Sequence, residues 1–563
     1  MSRSVTFPTT PLIPSRSVED TSMSSQHPPL VRTRLSIMMF LEFFVWGSWG
    51  LAIFGYANST LKFSGSQIGW LGAVTAIGAI VSLMIGPIAD RLFPAQRVLG
   101  ALHVLGGVCL LLAGQQTSFI GMMTMMMLNG LAFMPTLALA NSVAFRHIPD
   151  PARFPRIAVM GTIGWILANL STDILLGGAV KPNFLFQAGI GGIILGIYCW
   201  TLPNTAPTDT QTGGSSFGTN VRKLLKDPLL MTFVVCVFIA SVPACGYFFT
   251  LIVPMLQQRG YPSPVALTTL NQFAEIVFMF TMPWFVAKLG LRRVVLIGML
   301  AWAVRYLFFA CPEFSMALIG LILHGFCYSF FYVGSYMYVD SKVPEDLKST
   351  AQSLLTFLLV GVGWFLGSKF GGFMMEQNAP PVPSMASLGG MEDDTRPLPP
   401  WDDPNASTSV WRYLDLSGTV NALLKGEPQQ TAAATDEAKD LGAAVDANSD
   451  GKITDAEIAA IGDEGVTIAG VEYSREDISA IFKGIYFLDT GDETPGAEMS
   501  LTRDQWLKAQ SCDWGPIWLW PSAGLFAILV VFAIGTREKP KPEDAASEDA
   551  EDTGDQPEAP SEQ

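Results

Sequence analysis

Charge is scarce in this chain. Asp, Glu, Lys and Arg make up 15% of its 563 residues while half are hydrophobic, against roughly a quarter charged in ordinary soluble domains. Histidine is rarer still, at four residues. No phosphate-binding loop, activated nucleophile or Cys/His metal cluster is present, so nothing points to an enzyme. The seven cysteines include six (Cys109, Cys199, Cys236, Cys245, Cys311, Cys327) inside apolar runs, with only Cys512 outside them, and indicate no disulfide framework. The net charge of −15 offers no basic surface for nucleic acid. Residues 1–31 lack an apolar core and read as a disordered tail, not a cleavable signal peptide.

Long apolar runs are what the chain does have. They fall near 33–57, 67–89, 97–114, 118–144, 157–180, 183–202, 228–253, 265–287, 292–311, 314–339, 349–374 and 514–535. Each approaches the roughly 20 residues a spanning helix needs. The fold class read from this is an all-α membrane protein of twelve helices. Lys and Arg concentrate in alternate short loops, at Arg91 and Arg97, Arg146 to Arg156, Arg222 to Lys226, Lys288 to Arg293, and Lys342 with Lys348. By the positive-inside rule those loops and both termini are cytoplasmic. The polar stretch 203–227 divides a six-helix bundle, 32–202, from helices seven to eleven, 228–376. Gly86 to Arg91 at the end of the second run fits the G-x-x-x-D-R signature that the major facilitator superfamily carries at that loop.

Two departures from a plain apolar bundle carry chemistry. Glu275 lies mid-run with Gln272 one turn before it, and an acid at bilayer depth, costing at least about 2.5–3.5 kcal/mol, marks a functional site by default. The second departure is the polar segment 377–512, which precedes the last helix, 513–536, and the acidic tail 537–563. It is too long for a connecting loop and reads as a small extracytoplasmic domain. Within it Asp446, Asn448, Asp450, Gly451 and Glu457 match the EF-hand spacing. Six or seven oxygens for Ca2+ would come from Asp446, Asn448, Asp450, the Lys452 carbonyl, Thr454 and a bidentate Glu457. Residues 489–506 look like a degenerate partner loop that pairs without binding metal.

Several motifs then occur in order: Phe40–Trp49 (FLEFFVWGSW), Leu61-Lys62-Phe63, Met134-Pro135-Thr136, Gly161-Thr162 to Trp165, Gln272 to Glu275 with Pro283, Ala301-Trp302 with Arg305, and Ala351-Gln352. This series resembles the bacterial nucleoside:proton symporters, a branch of the major facilitator superfamily. The resemblance implies a monomeric, alternating-access importer in a bacterial inner membrane, taking up nucleoside with a proton. Thr162, Trp165, Tyr247, Gln272, Glu275, His324 and Tyr328 are the expected substrate residues, and Glu275, then Glu42, the expected proton carriers. The chain departs from the pattern at Ala158 (family Arg), at Ser329 (family Asp), and at Gly246 and Phe249 (family amides), leaving Tyr247 and Thr250 as polar neighbours. A permease for another polar solute, sugar or nucleobase, is the alternative, and a calcium-responsive sensor anchored by the bundle is a third reading.

Overall fold

A computed structural model describes residues 28–148, 154–207, 217–378, 452–462, 466–468, 471–473, 475, 500–502 and 512–536. Among them twelve helices are long and apolar enough to cross a membrane. The first six are α1 Leu30–Ser59, α2 Gly65–Leu92, α3 Ala95–Ala113, α4 Phe119–His147, α5 Phe154–Ile174 and α6 Asn183–Thr201. The second six are α7 Pro228–Gln258, α8 Pro264–Leu289, α9 Leu291–Ala310, α10 Phe314–Lys342, α11 Glu345–Gln377 and α12 Trp514–Gly535. Each expected run thus became one helix, with ends shifted by a few residues. The side chains of Gly86 to Arg91 lie outside the described residues, although helix α2 runs through them.

Small residues decide how closely the helices approach, because lipid gives apolar side chains no reason to prefer one another. In the first bundle α1 packs along α5, and a Cβ on Gly164 would fall 2.2 Å from the Phe40 carbonyl oxygen. Any other residue there would push the two backbones apart. Between the bundles α2 packs along α11, where a Cβ on Gly372 would lie 2.3 Å from the Gly65 carbonyl. Further bundle-to-bundle links join α5 to α8 and the last turns of α1 to those of α7.

Three helices of the second half widen into π-type turns, at Pro243–Tyr247 in α7, Cys327–Val333 in α10 and Phe357–Gly363 in α11. Such turns insert a residue and rotate everything after them, and they recur at functional sites. The 377–512 segment leaves and rejoins the bundle at one point, because the Asp513 N–H donates to the Asn378 carbonyl at 3.0 Å. Within the segment, strand β1 Lys452–Thr454 pairs antiparallel with β4 Ser500–Thr502, with Ile453 opposite Leu501. Helix Asp455–Ala460 follows β1, and β2 Val466–Ile468 pairs with β3 Val471–Tyr473. Asp446, Asn448 and Asp450 lie outside the described residues.

Candidate functional site

Helix α8 has one exposed and one buried face. Phe273, Val277, Phe280 and Trp284 form an exposed apolar stripe, the side suited to lipid. Asn271, Ala274 and Met282 are buried against neighbours, and between the two faces stand Gln272 and Glu275, both half-buried. Glu275 has no hydrogen-bond or ion-pair partner among the described residues, and the Gln272 Oε1 is buried without one. An acid and an amide left open at i and i+3 can both be satisfied by one polar guest. Tyr328 is the electrostatic neighbour of Glu275 on α10. It keeps 37% of its surface accessible in the middle of its helix, as a residue lining an internal cavity would.

A run of aromatic rings links the two bundles. Trp165 on α5 is edge-on to Trp46 of α1 (5.4 Å, 83°) and to Phe249 of α7 (6.3 Å, 71°), and Phe249 in turn lies 4.8 Å from Trp364 of α11. With its amide oriented for both neighbours, Asn169 accepts from the Trp165 indole N–H and donates to the Gly47 carbonyl, each at 2.9 Å. The run therefore crosses from one bundle to the other with its first ring fixed in place. Thr162 is half-buried one turn before Trp165. Buried polar atoms without partners are rare, yet Ser329 Oγ, the Tyr332 hydroxyl and the Trp364 indole N–H are all of this kind.

Two expected site residues serve the scaffold instead. Tyr247 is fully buried, with its hydroxyl on the Ile517 carbonyl of α12 and its ring against Tyr306, Phe370 and Trp518. Tyr247 is the last residue of the π turn Pro243–Tyr247. Thr250 is likewise spent on packing, donating to the Gly246 carbonyl at 2.7 Å. His324 is 7% exposed and takes a hydrogen bond from Arg305 Nη1 at its Nδ1, 2.9 Å away. Since arginine only donates, that nitrogen carries no proton and the ring is a packing and acceptor group. Arg305 also holds the Gly320 carbonyl (2.7 Å) and Asn271 Oδ1 (3.2 Å), with its guanidinium 3.9 Å over the Phe248 ring. It thereby fixes α8 at the residue just before Gln272.

Glu42 sits elsewhere, sealed inside the first bundle. Sequence reasoning missed Phe249 as a site residue, reading it only as a lost amide, and missed Trp364 and Tyr332. It also missed the contacts that clasp the bundles at the end bearing the 59–65 loop. There Asp173 of α5 accepts the Ala266 N–H at 2.7 Å and Glu376 of α11 accepts the Ser66 N–H at 2.8 Å.

Two six-helix bundles around a central site of open polar groups and aromatic rings define a membrane transporter of the alternating-access kind. The chain belongs to the nucleoside H+ symporter family, whose model matches residues 30–380. YegT of Escherichia coli (strain K12) is 39% identical to it over 361 residues, covering 61% of this chain and 84% of that one. The xanthosine permease of the same organism is 30% identical over 373 residues, covering 62% and 88%. A crystal structure of a variant of the nucleoside transporter NupG matches with a TM-score of 0.59 at 25% identity, covering 62% of this chain and 92% of that one.

Proposed function

We propose that the protein imports nucleosides across a bacterial inner membrane, with Glu275 as the acid that couples substrate to proton. The observation that carries this is the open pair on α8, an unpartnered Glu275 beside the orphaned Gln272 carbonyl oxygen. Ribose hydroxyls can donate to both, and a planar base fits against Trp165, Phe249 and Trp364. Thr162, one turn before Trp165, and Tyr328, the electrostatic neighbour of Glu275, add a hydroxyl from each bundle, while Glu42 is a second acid inside the first bundle. By the positive-inside rule the basic loops support a cytoplasmic side for both termini and the opposite side for the 377–512 segment. On that orientation the clasp at Asp173 and Glu376 lies on the extracytoplasmic side and serves as a gate there.

A permease for another planar or polar solute is the second reading, favoured by the ring of Phe249 standing where the family pattern has an amide. Uptake of uridine, adenosine, xanthosine, adenine and a sugar, compared in cells lacking their own nucleoside transporters, tests both. Accumulation of nucleosides above base and sugar supports the first reading, and the reverse order supports the second. The segment outside the bundle holds one Ca2+ in residues 446–457, with Lys452 and Thr454 on the strand that pairs with 500–502 and Glu457 in the helix that follows. Calcium-dependent protection of this segment from protease in the full-length protein checks the assignment, and its loss in Asp446→Ala is expected.

A further inference from the structure

Glu42 and His103 form a buried pair that the transport site does not use. The carboxylate Oε2 of Glu42 on α1 lies 2.7 Å from His103 Nε2 on α3, and the Thr136 hydroxyl on α4 lies 2.7 Å from Oε1. Glu42 and Thr136 are fully buried and His103 is 2% exposed. Desolvating an ionisable pair is expensive, and apolar replacements of similar volume are often as stable, so packing alone does not account for it. A third contact gives the cluster its chemistry: Thr136 Oγ1 is also 2.5 Å from the Phe133 carbonyl oxygen. One hydroxyl proton has two acceptors and can serve only one at a time.

We propose that this cluster is a second proton-binding site, in which Glu42 gains and loses a proton while the Thr136 hydroxyl switches partner. In the ionised state the His103 Nε2–H donates to Oε2 and the Thr136 O–H donates to Oε1. In the protonated state the new O–H on Oε1 donates to Thr136 Oγ1, whose own proton turns to the Phe133 carbonyl. His103 keeps its bond to Oε2 throughout. Both carboxyl oxygens of Glu42 and the Thr136 hydroxyl keep a hydrogen bond in both states, so one proton enters or leaves without stranding any of the three.

The surroundings fit a site that takes protons and not solute. Cys199, at the end of α6, is a titratable group in electrostatic reach of Glu42. Helix α5 meets this part of α1 with Gly161 and Gly164, against Phe43 and Phe40, and α4 meets it with Thr136 and Phe133. Asn129 of α4 is fully buried with neither amide atom paired, and its Oδ1 faces Gly106, one turn along α3 from His103. Polar groups thus continue from the pair along the α3–α4 interface. The Phe133 ring touches His103 (5.7 Å) and Trp46 (6.0 Å), and Trp46 abuts Trp165, so the cluster is two rings from the aromatic run.

The inference rests on the proton-coupled reading of the family, and its test is chosen to stand apart from it. Infrared difference spectra of the purified full-length protein, titrated without substrate, report the carboxylic C=O stretch of each buried acid. A titrating band should vanish in Glu42→Gln, persist in Glu275→Gln, and shift its midpoint in Thr136→Val by about one pH unit, a tenfold change in proton affinity. Should Glu42→Gln not fold, the Thr136→Val shift alone decides. In liposomes, Glu42→Gln should keep nucleoside counterflow but flatten its dependence on pH. If no band responds to either substitution in the first bundle, the pair is structural and the inference fails while the proposed function stands. If the band titrates through Glu42 but no nucleoside is moved, the function fails and the proton site stands.

Discussion

Replacing Arg305 by Met removes the guanidinium while keeping a stem that still covers Phe248. Three acceptors then lose their donor: the Gly320 carbonyl, His324 Nδ1 and Asn271 Oδ1. A hydrogen bond to a charged group is worth about 1.5–3 kcal/mol. The three share one buried group, so they do not add, and removing the cation also relieves its desolvation. The net loss should be about 3–5 kcal/mol, the range for breaking a buried charged network. Arg305→Lys keeps the charge but not the planar fork that reaches three acceptors at once, and it should recover only part of that loss. Thermal unfolding of detergent-purified variants should give the order wild type, Lys, Met. His324→Ala combined with Arg305→Met should cost less than the two single changes together, because they remove the same bond. Uptake should fall in both Arg305 variants even where protein levels match, since α8 is held at the residue preceding Gln272. An Arg305→Met protein as stable and active as wild type would refute this reasoning.

Trp165→Ala should raise the apparent KM for nucleosides about tenfold, because base–aromatic stacking is worth about 1–3 kcal/mol; competition assays across bases check it. The Arg and Asp that the family pattern carries at positions 158 and 329 read as a cross-bundle ion pair lost together in this chain, since losing one partner alone would strand a buried charge; Ser329→Asp alone should then destabilise the protein and Ala158→Arg with it should restore stability, and additive effects in that cycle would contradict the pairing. Burial pushes the Cys512 thiol up to about 11, so near neutral pH it carries about a hundredfold less thiolate than a thiol at its usual value; maleimide labelling on the intact protein should be slow and should accelerate as pH rises. Replacing 380–510 by a short linker should leave flux intact, since Asn378 and Asp513 already meet, and loss of uptake at normal protein levels would instead favour a sensor or regulatory role for the segment.

The helices were legible because a run of about twenty apolar residues leaves the chain no other way to satisfy its backbone in lipid. Glu275 and Gln272 were legible for the complementary reason, that polar groups at that depth are costly. Tyr247 was expected at the site only as a polar neighbour of positions where the family pattern has amides, and its contacts with α12 come from residues some 270 positions away, which local sequence does not show. His324 looked like a pocket residue by its i, i+4 spacing to Tyr328, but its partner Arg305 comes from another helix, which spacing within one helix cannot reveal. His103 was overlooked although a signal existed. It lies, like Glu42, about two to three turns in from the same end of the bundle, and two ionisable residues at similar depth on helices of one bundle are candidates for a pair.

The central claim is that Glu275 links nucleoside movement to proton movement. Purified protein in liposomes, loaded with a pH-sensitive dye and given nucleoside outside, measures this link directly. Wild type should take up protons with substrate, whereas Glu275→Gln should exchange nucleoside across the membrane with no substrate-driven proton entry. Undiminished proton entry in Glu275→Gln would contradict the account.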